Sequence, residues 1–193
     1  MTTKEKQAAA EQALKLVAET RKAIANAEAV EKLDKELDLL IPKLIDETDP
    51  EDNAAVRKLG DANTQKLLIP ARRERATENL RAAADKLETA MEQALYAVKD
   101  AIAEDKAAHL EKITALLAPY CKGFKKEEIE GIAIRTGVLF YIENQLNELP
   151  SVRDGHERGL DYAASMMARA EAAAALVTHF IKDGETFTKN YGK

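Results

Sequence analysis

An uninterrupted stretch between Pro70 and Pro119 constrains the fold of this chain more than any other feature. Residues 71–118 contain no glycine and no proline. Their apolar side chains recur at alternating intervals of four and three residues, as in a helix that buries one face against other helices. These side chains are Leu80, Ala84, Leu87, Met91, Ala94 and Val98, followed by Ile102, His109, Ile113 and Leu116. A continuous helix of this length would run about 70 Å, well beyond the usual helix of about three to four turns.

A second long helix is predicted over residues 3–45. Thr2 and Glu5 have the spacing of a capping box, which places the start of the helix at Thr2. One apolar stripe is followed by a second with a different phase, which predicts a stutter, a bend or a break near residues 25–28. The first stripe is Leu14, Val17 and Ile24, and the second is Val30, Leu33, Leu37, Leu40 and Leu44. Pro42 either kinks this helix or begins a last short turn.

Residues 46–52 read as an acidic turn between helices. Thr48 and Asp49 are candidates for the helix N-cap, and Pro50 suits a first helical turn. We therefore expect a helical connector over residues 50–69. Gly60 and Asp61 either end this connector or are tolerated inside it.

The segment 124–149 allows two interpretations. One is a helix that begins near Lys126, and the other is two short strands joined by a turn at residues 135–137. We favour the helix, because the rest of the chain offers such strands no sheet to join. Gly131 and Gly137 would then permit close contact between helices.

The C-terminal part predicts one more helix. Residues 119–123, which contain Pro119 and Gly123, should end the long helix. A regular apolar seam then begins at Leu160, and Gly184 ends it. The members of this seam are Leu160, Ala163, Met167, Ala170, Ala174, Val177 and Ile181. Residues 185–193 are expected to form a loosely held, flexible tail.

Together these patterns predict an all-α fold, an elongated helical bundle in a single domain over residues 1–193. Two long heptad-patterned helices, about 3–45 and 71–118, are joined by shorter ones. Either the first long helix covers the second as an antiparallel partner, or a second chain does. The heptad seams and the shortage of large core residues favour a homo-oligomer such as a dimer.

Composition limits the classes of function. The net charge is −5 although 33% of the residues are charged, so the balance argues against a general polyanion binder. The single cysteine, Cys121, excludes an intrachain disulfide framework and fits a reducing compartment. The N-terminal sequence lacks an apolar signal core and no run is long enough to be a transmembrane segment, so we expect a cytoplasmic protein.

No catalytic or metal motif stands out. The three histidines, His109, His156 and His179, lack the Glu-x-x-His pairing of di-iron bundles. Cys121 lies near lysines that would favour its thiolate, yet no pattern supplies a base or an oxyanion hole. We therefore predict no catalytic residue, no cofactor and no metal site.

Arg72, Arg73 and Arg75 cluster where the long helix is predicted to begin. Cations at a helix N-terminus are unfavourable by about 0.3–1 kcal/mol each, so another interaction should offset that cost. The three arginines are accordingly candidates for contact with an anion or an acidic partner. The alternatives are pairing with the acidic turn at residues 46–52, or a helix that begins before Arg72.

Three hypotheses for function follow. The first is a non-enzymatic interaction or assembly protein, scaffold-like or adaptor-like, that acts through amphipathic helix faces and associates with itself or with a protein partner. The second is a helical protein that binds lipid or another apolar ligand. The third, less favoured, is an enzyme whose site is assembled from residues distant in sequence.

Overall fold

The computed structural model describes residues 1–134, 144–152 and 160–182. Within these residues the chain forms four helices and no strand: α1 (Thr3–Glu47), α2 (Asn53–Leu117), α3 (Lys126–Ile134) and α4 (Leu160–Lys182). The predicted all-α, elongated fold with two long helices is confirmed. The tail expected over residues 185–193 lies outside the described residues.

Helix α1 starts as its capping box predicts. The Thr2 hydroxyl accepts a hydrogen bond from the Glu5 backbone N–H, and the Glu5 carboxylate accepts one from the Thr2 N–H. The helix then continues for 45 residues, about 67 Å, without the break expected near residues 25–28. Pro42 lies inside α1 on an exposed position, where the carbonyl that it leaves unpaired can be hydrated.

Helix α2 is longer than the sequence suggested, because it begins at Asn53 and not at residue 71. It runs for 65 residues, about 97 Å, and passes through Gly60, through Pro70 and across residues 98–104 without interruption. The predicted connector is therefore helical but is part of α2. Pro70 is exposed, so the missing N–H costs a helical hydrogen bond on the solvent side, where water can replace it.

The turn between α1 and α2 uses a different cap from those expected. Asp52 is the N-cap of α2, and its carboxylate accepts hydrogen bonds from the N–H groups of Ala54 and Ala55. Thr48, one of the two predicted caps, instead ends α1 and donates its backbone N–H to the Leu44 carbonyl. Pro50 lies in the turn and not in the first turn of α2.

Helices α1 and α2 form an antiparallel hairpin within one chain. Lys6 contacts Glu104, Thr20 contacts the Ala83 carbonyl and Asp34 contacts Lys66, so partners descend along α2 as residue numbers rise along α1. Of the two ways in which the long helix could be covered, pairing within the chain is therefore observed.

Helix α4 completes a three-helix bundle at the end of the hairpin that lies away from the turn. The main core is formed by α1, α2 and α4 and consists largely of alanine, with a few larger side chains such as Leu87, Val98 and Met166. Alanine lets helix backbones approach closely, which suits bundles with small residues at their contacts. Arg21 of α1 also pairs with Glu171 of α4, at 2.7 Å.

A second, smaller core lies nearer the turn and is formed by α1 and α2 alone. Leu37, Ala62 and Ile69 are buried in it, with partly buried residues around them. Those residues are Val30, Leu33, Ile41 and Leu44. We call this part of the hairpin, residues 30–75, the arm.

The C-terminal half partly matches its prediction. Residues 126–134 are helical, as favoured over the strand interpretation, and α3 packs against the end of α2. Gly131 does not mediate a close helix contact, because a β-carbon there would meet nothing within 4 Å. Gly137 lies outside the described residues. None of the helices in the described part of the chain is both long and apolar enough to cross a membrane.

Candidate functional site

The three arginines singled out in the sequence do not sit at a helix start. Because α2 begins at Asn53, Arg72, Arg73 and Arg75 lie inside the helix, on the arm. The alternative that the helix begins before Arg72 is therefore observed. The three arginines are far from the helix N-terminus, so the helix dipole does not disfavour their charges. Among the described residues they also do not pair with the acidic turn at 46–52. Arg73 instead contacts Asp34 of α1, at 2.7 Å.

Arg73 belongs to a charged face on one side of the arm. Lys66 lies 2.5 Å from the carboxylate of Asp34 and 2.6 Å from that of Asp38, so two cations of α2 meet two carboxylates of α1. Hydrogen bonds from Lys66 and then Arg73 hold the pKa of Asp34 below its ordinary value. Hydrogen bonds to Asp34 and Asp38 raise the pKa of Lys66. This network ties the two helices of the arm together.

Arg72 and Arg75 lie on the opposite side of the arm, which we call the leucine face. Together with Leu33 they line a cleft of about 420 Å³ between α1 and α2. Leu40 follows Leu33 by two helical turns, so it lies on this side of α1. Leu68 precedes Arg72 by one turn and Arg75 by two turns, so it lies on this side of α2. The two leucines are 45% and 47% exposed, which is high for leucine beside a helix seam.

Charge is unevenly distributed along the leucine face. At the end nearer the three-helix bundle, neither Arg72 nor Arg75 has an ion-pair partner among the described residues. At the turn, the arm carries a group of exposed acids and no base. The acids are Asp46, Glu47, Asp49, Glu51 and Asp52. The arm therefore carries two arginines without ion-pair partners at one end and the acidic turn at the other, with exposed leucines between.

A second candidate site lies at the far end of the bundle from the turn. Lys6 of α1 is only 2% exposed, and its ammonium group pairs with Asp100 and Glu104 of α2 at 3.0 and 2.5 Å. Burial alone would lower the pKa of Lys6, but these two carboxylates outweigh it and raise the pKa overall. Lys6 lines a cavity of about 350 Å³ together with Asp105 and His109 of α2 and Phe180 of α4.

The other residues considered for chemistry are not assembled into a site. His179 stacks edge-on against Phe180, with ring centroids 5.6 Å apart. Cys121 is half-buried in the turn that follows α2. His156 lies outside the described residues. Across the described ranges, no group of three or more His, Cys, Asp or Glu side chains is placed to hold a metal ion.

Neither Lys6 nor Asp34 was predicted from the sequence as a site residue, although the heptad spacing along α1 indicates both. Lys6, Ala13 and Thr20 are spaced by seven, and the same spacing continues through Ala27 to Asp34 and Ile41. This series is the inward seam of α1, because its first three members are buried and the last three are partly buried. A charged residue at an inward heptad position predicts a buried ion pair across the seam.

Comparisons with protein-family models, with curated proteins and with solved structures each find no match.

Proposed function

We propose that this chain is a non-enzymatic, cytoplasmic assembly protein that forms a homodimer by packing the leucine face of its arm against the same face of a second copy. The observation that carries the proposal is the pair of half-exposed leucines, Leu40 and Leu68, beside a two-helix seam. Two hairpins that pair in this way form a four-helix bundle, which buries apolar side chains that a two-helix hairpin leaves in water.

The charge distribution on the arm selects an antiparallel arrangement of the two copies. In a twofold dimer each patch meets its own copy, and the two arms are antiparallel when the twofold axis is perpendicular to them. The acidic turn of one chain then approaches Arg72 and Arg75 of the other, while the leucines meet near the axis. Opposite charges at the rim favour this register over the parallel one, in which like charges would be opposed.

The charged face supports the choice of the leucine face as the contact. Asp34, Asp38, Lys66 and Arg73 already satisfy one another within the chain. Arg72 and Arg75 lack such partners among the described residues, so their charges are available to a second chain. The single cysteine fits the reducing compartment that the proposal assumes.

Sedimentation equilibrium tests this proposal directly. We expect a mass twice that of one chain, and an association that weakens as salt rises because rim charges are screened. The double variant Arg72→Glu/Arg75→Glu should associate more weakly than the wild type. The matched control Lys15→Glu/Lys22→Glu makes the same change of charge on exposed positions of α1 outside the arm and should leave association unchanged.

A mixing experiment tests the antiparallel register. The variant Asp46→Lys/Glu51→Lys reverses charge at the turn and should also associate weakly alone. Mixed with Arg72→Glu/Arg75→Glu, it should form a heterodimer, because each reversed patch then meets a complementary one. A wild-type chain that stays monomeric would overturn the proposed function, and a dimer unaffected by either variant would overturn the proposed face.

The alternative function, binding of lipid or another apolar ligand, is favoured by a different cleft. A space of about 590 Å³ lies between the end of α2 and α3, and its walls include Leu110, Ile129 and Ala107. Clefts of this size and character accept small apolar ligands. Titration with oleate tests this alternative: saturable binding that is weakened by Ala107→Phe, which fills the cleft, would support it, and no binding would remove it.

A further inference from the structure

The cleft between α1 and α2 on the leucine face is lined by side chains that can donate hydrogen bonds and by none that is acidic. Arg72, Arg75 and Asn79 belong to its α2 wall, and Asn26 belongs to its α1 wall. We call this space the arginine cleft. All four side chains are exposed, and none has a hydrogen-bond or ion-pair partner among the described residues. The cleft therefore offers two cations and two amides that the described part of the chain does not use.

The two arginines repel each other, and neighbouring acids do not compensate their charges. They are three residues apart on one face of α2, a spacing at which like charges are unfavourable. The acids that follow them closely along α2, Glu74 and Glu78, line a different cleft. On the charged face, α1 supplies Asp34 and Asp38 to the ammonium group of Lys66. In the arginine cleft α1 supplies an amide instead, so an anion from outside the described side chains is needed to balance the charge.

A phosphate dianion matches this arrangement of donors. Its two charges balance both guanidinium groups, whereas a carboxylate would balance only one. A guanidinium group donates two parallel hydrogen bonds to phosphate oxygens, and the amides of Asn26 and Asn79 can donate to the remaining oxygens. The cleft of about 420 Å³ has room beyond the phosphate, and part of its wall is formed by Val30 and Leu33. The phosphate can therefore be inorganic or part of a small organic ester.

We propose that the arginine cleft binds a phosphate dianion, which is held by Arg72 and Arg75 with hydrogen bonds from Asn26 and Asn79. Bound phosphate then occupies the two arginines that the proposed dimer gives to the acidic turn of the second copy. Phosphate binding and dimer formation therefore exclude each other. The site needs only one chain, whereas this competition rests on the proposed function.

Nε–H signals of arginine in ¹H–¹⁵N spectra of the intact protein test the site. Arg72→Lys and Arg75→Lys each identify one signal by its loss. In mildly alkaline solution we expect saturable shifts of both signals with sodium phosphate, weaker binding of sodium acetate, and no saturable shift with sodium chloride at the same ionic strength. Phenyl phosphate distinguishes the two sources: tighter binding than phosphate indicates an organic ester, and equal binding indicates the inorganic ion. No saturable shift with either phosphate, or equal shifts with chloride, overturns the proposal.

Two matched variants test the position of the site. Asn79→Asp introduces a carboxylate into the cleft with little change of shape and should weaken phosphate binding by about tenfold or more, because like charges are then opposed. Asn63→Asp makes the same substitution at an exposed position of the arm outside the cleft and should bind as the wild type does. Arg72→Lys keeps the charge but loses the planar fork, so the remaining Arg75 signal should report weaker binding. Equal affinities of Asn79→Asp and Asn63→Asp would place phosphate elsewhere and overturn the site.

Sedimentation equilibrium at constant ionic strength tests the competition. With phosphate at about ten times its dissociation constant, the apparent dissociation constant of the dimer should rise by about a hundredfold, because both chains must release a phosphate before they pair. A dimer that persists while the arginine signals are saturated would overturn the competition.

The variant Asp46→Lys/Glu51→Lys separates the site from the dimer, because its turn no longer competes for the arginines. It should bind phosphate at least as tightly as the wild type, and the absence of binding to it would overturn the site at any oligomeric state. A monomeric wild type that binds phosphate would overturn the proposed function and the competition, and would support the site.

Discussion

Lys66 of α2 donates a hydrogen bond to Asp34 of α1 over 2.5 Å, and this pair joins the two helices of the arm. Asp34 occupies an inward heptad position and is well covered, yet Arg73 and Lys66 both reach it from α2. The arm therefore combines a small apolar seam with an ion network on one face. Its stability should depend on the charge of both partners.

The first prediction concerns the pH dependence of the arm. The pKa of Asp34 is held below its ordinary value of 3.8, so its contribution to stability is present above that pH and is lost as the pH falls through the lowered pKa. The pKa of Lys66 is raised above 10.5, so its contribution is present below that pH and is lost as the pH rises through the raised pKa. Asp34→Asn should therefore lower the Tm at neutral pH, and its difference from the wild type should shrink in acid.

Glu36→Gln is the control for this measurement, because Glu36 is exposed and makes only a 3.7 Å pair with Lys32. Its Tm should stay close to that of the wild type at every pH. A difference between Asp34→Asn and the wild type that persists unchanged at a pH well below 3.8, where Asp34 is protonated in the folded and the unfolded protein, would exclude the ionised carboxylate as its source.

The second prediction separates two leucines of the arm that are two residues apart. Leu37 is 3% exposed and Leu39 is 69% exposed. Leu37→Ala should lower the free energy of unfolding by about 2–4 kcal/mol, since it leaves a cavity in the small core. Leu39→Ala should change it by less than about 0.5 kcal/mol. Urea denaturation of both variants is the measurement, and similar losses in the two would mean that the seam of α1 is wrongly assigned.

The seam of α1 shows which inward-facing residues can be predicted from apolar periodicity and which cannot. The prediction followed the large apolar residues, so it included Leu14 and Leu40, which are exposed. The observed seam contains Lys6, Ala13 and Thr20, which are small or polar and carry little weight in a search for apolar periodicity. The apparent change of phase near residues 25–28 arose from this choice, and the helix itself is continuous.

The start of α2 was predicted at residue 71 and not at Asn53 for a related reason. Pro70 reads as a boundary because it lacks an N–H group. Its position on the exposed side of α2 makes that loss tolerable, and whether a proline faces solvent is settled by packing against α1, not by local sequence. The capping box at Thr2 and the end of α2 before Pro119 were predicted correctly, because those signals are local.

The candidate sites could be predicted only in part. Arg72, Arg73 and Arg75 were recognised as a group, but their division between two faces depends on the helix register across the hairpin. The cavity around His109 joins residues about one hundred positions apart in sequence, so only the tertiary fold reveals it.

The third prediction tests the alanine-rich core of the three-helix bundle. Ala94 is fully buried between helices, whereas Ala82 lies exposed on the same helix. Ala94→Leu should reduce the free energy of unfolding by about 1–3 kcal/mol, because close helix contacts leave no room for the added carbons. Ala82→Leu should change it by less than about 0.5 kcal/mol. Equal stabilities of the two variants, measured by urea denaturation, would argue that the bundle is loosely packed.

The fourth prediction tests the continuity of α2 through Gly60. A β-carbon at Gly60 would meet nothing within 4 Å, so Gly60→Ala should raise the free energy of unfolding by about 0.5–1 kcal/mol by reducing the freedom of the unfolded chain. Gly123 is the matched contrast: it also has open space but a φ of +93°, in the region that disfavours side chains. Gly123→Ala should therefore lower stability by about 1 kcal/mol or more. If Gly60→Ala destabilised the protein as Gly123→Ala does, the chain would have to turn at Gly60 and α2 would not be one helix.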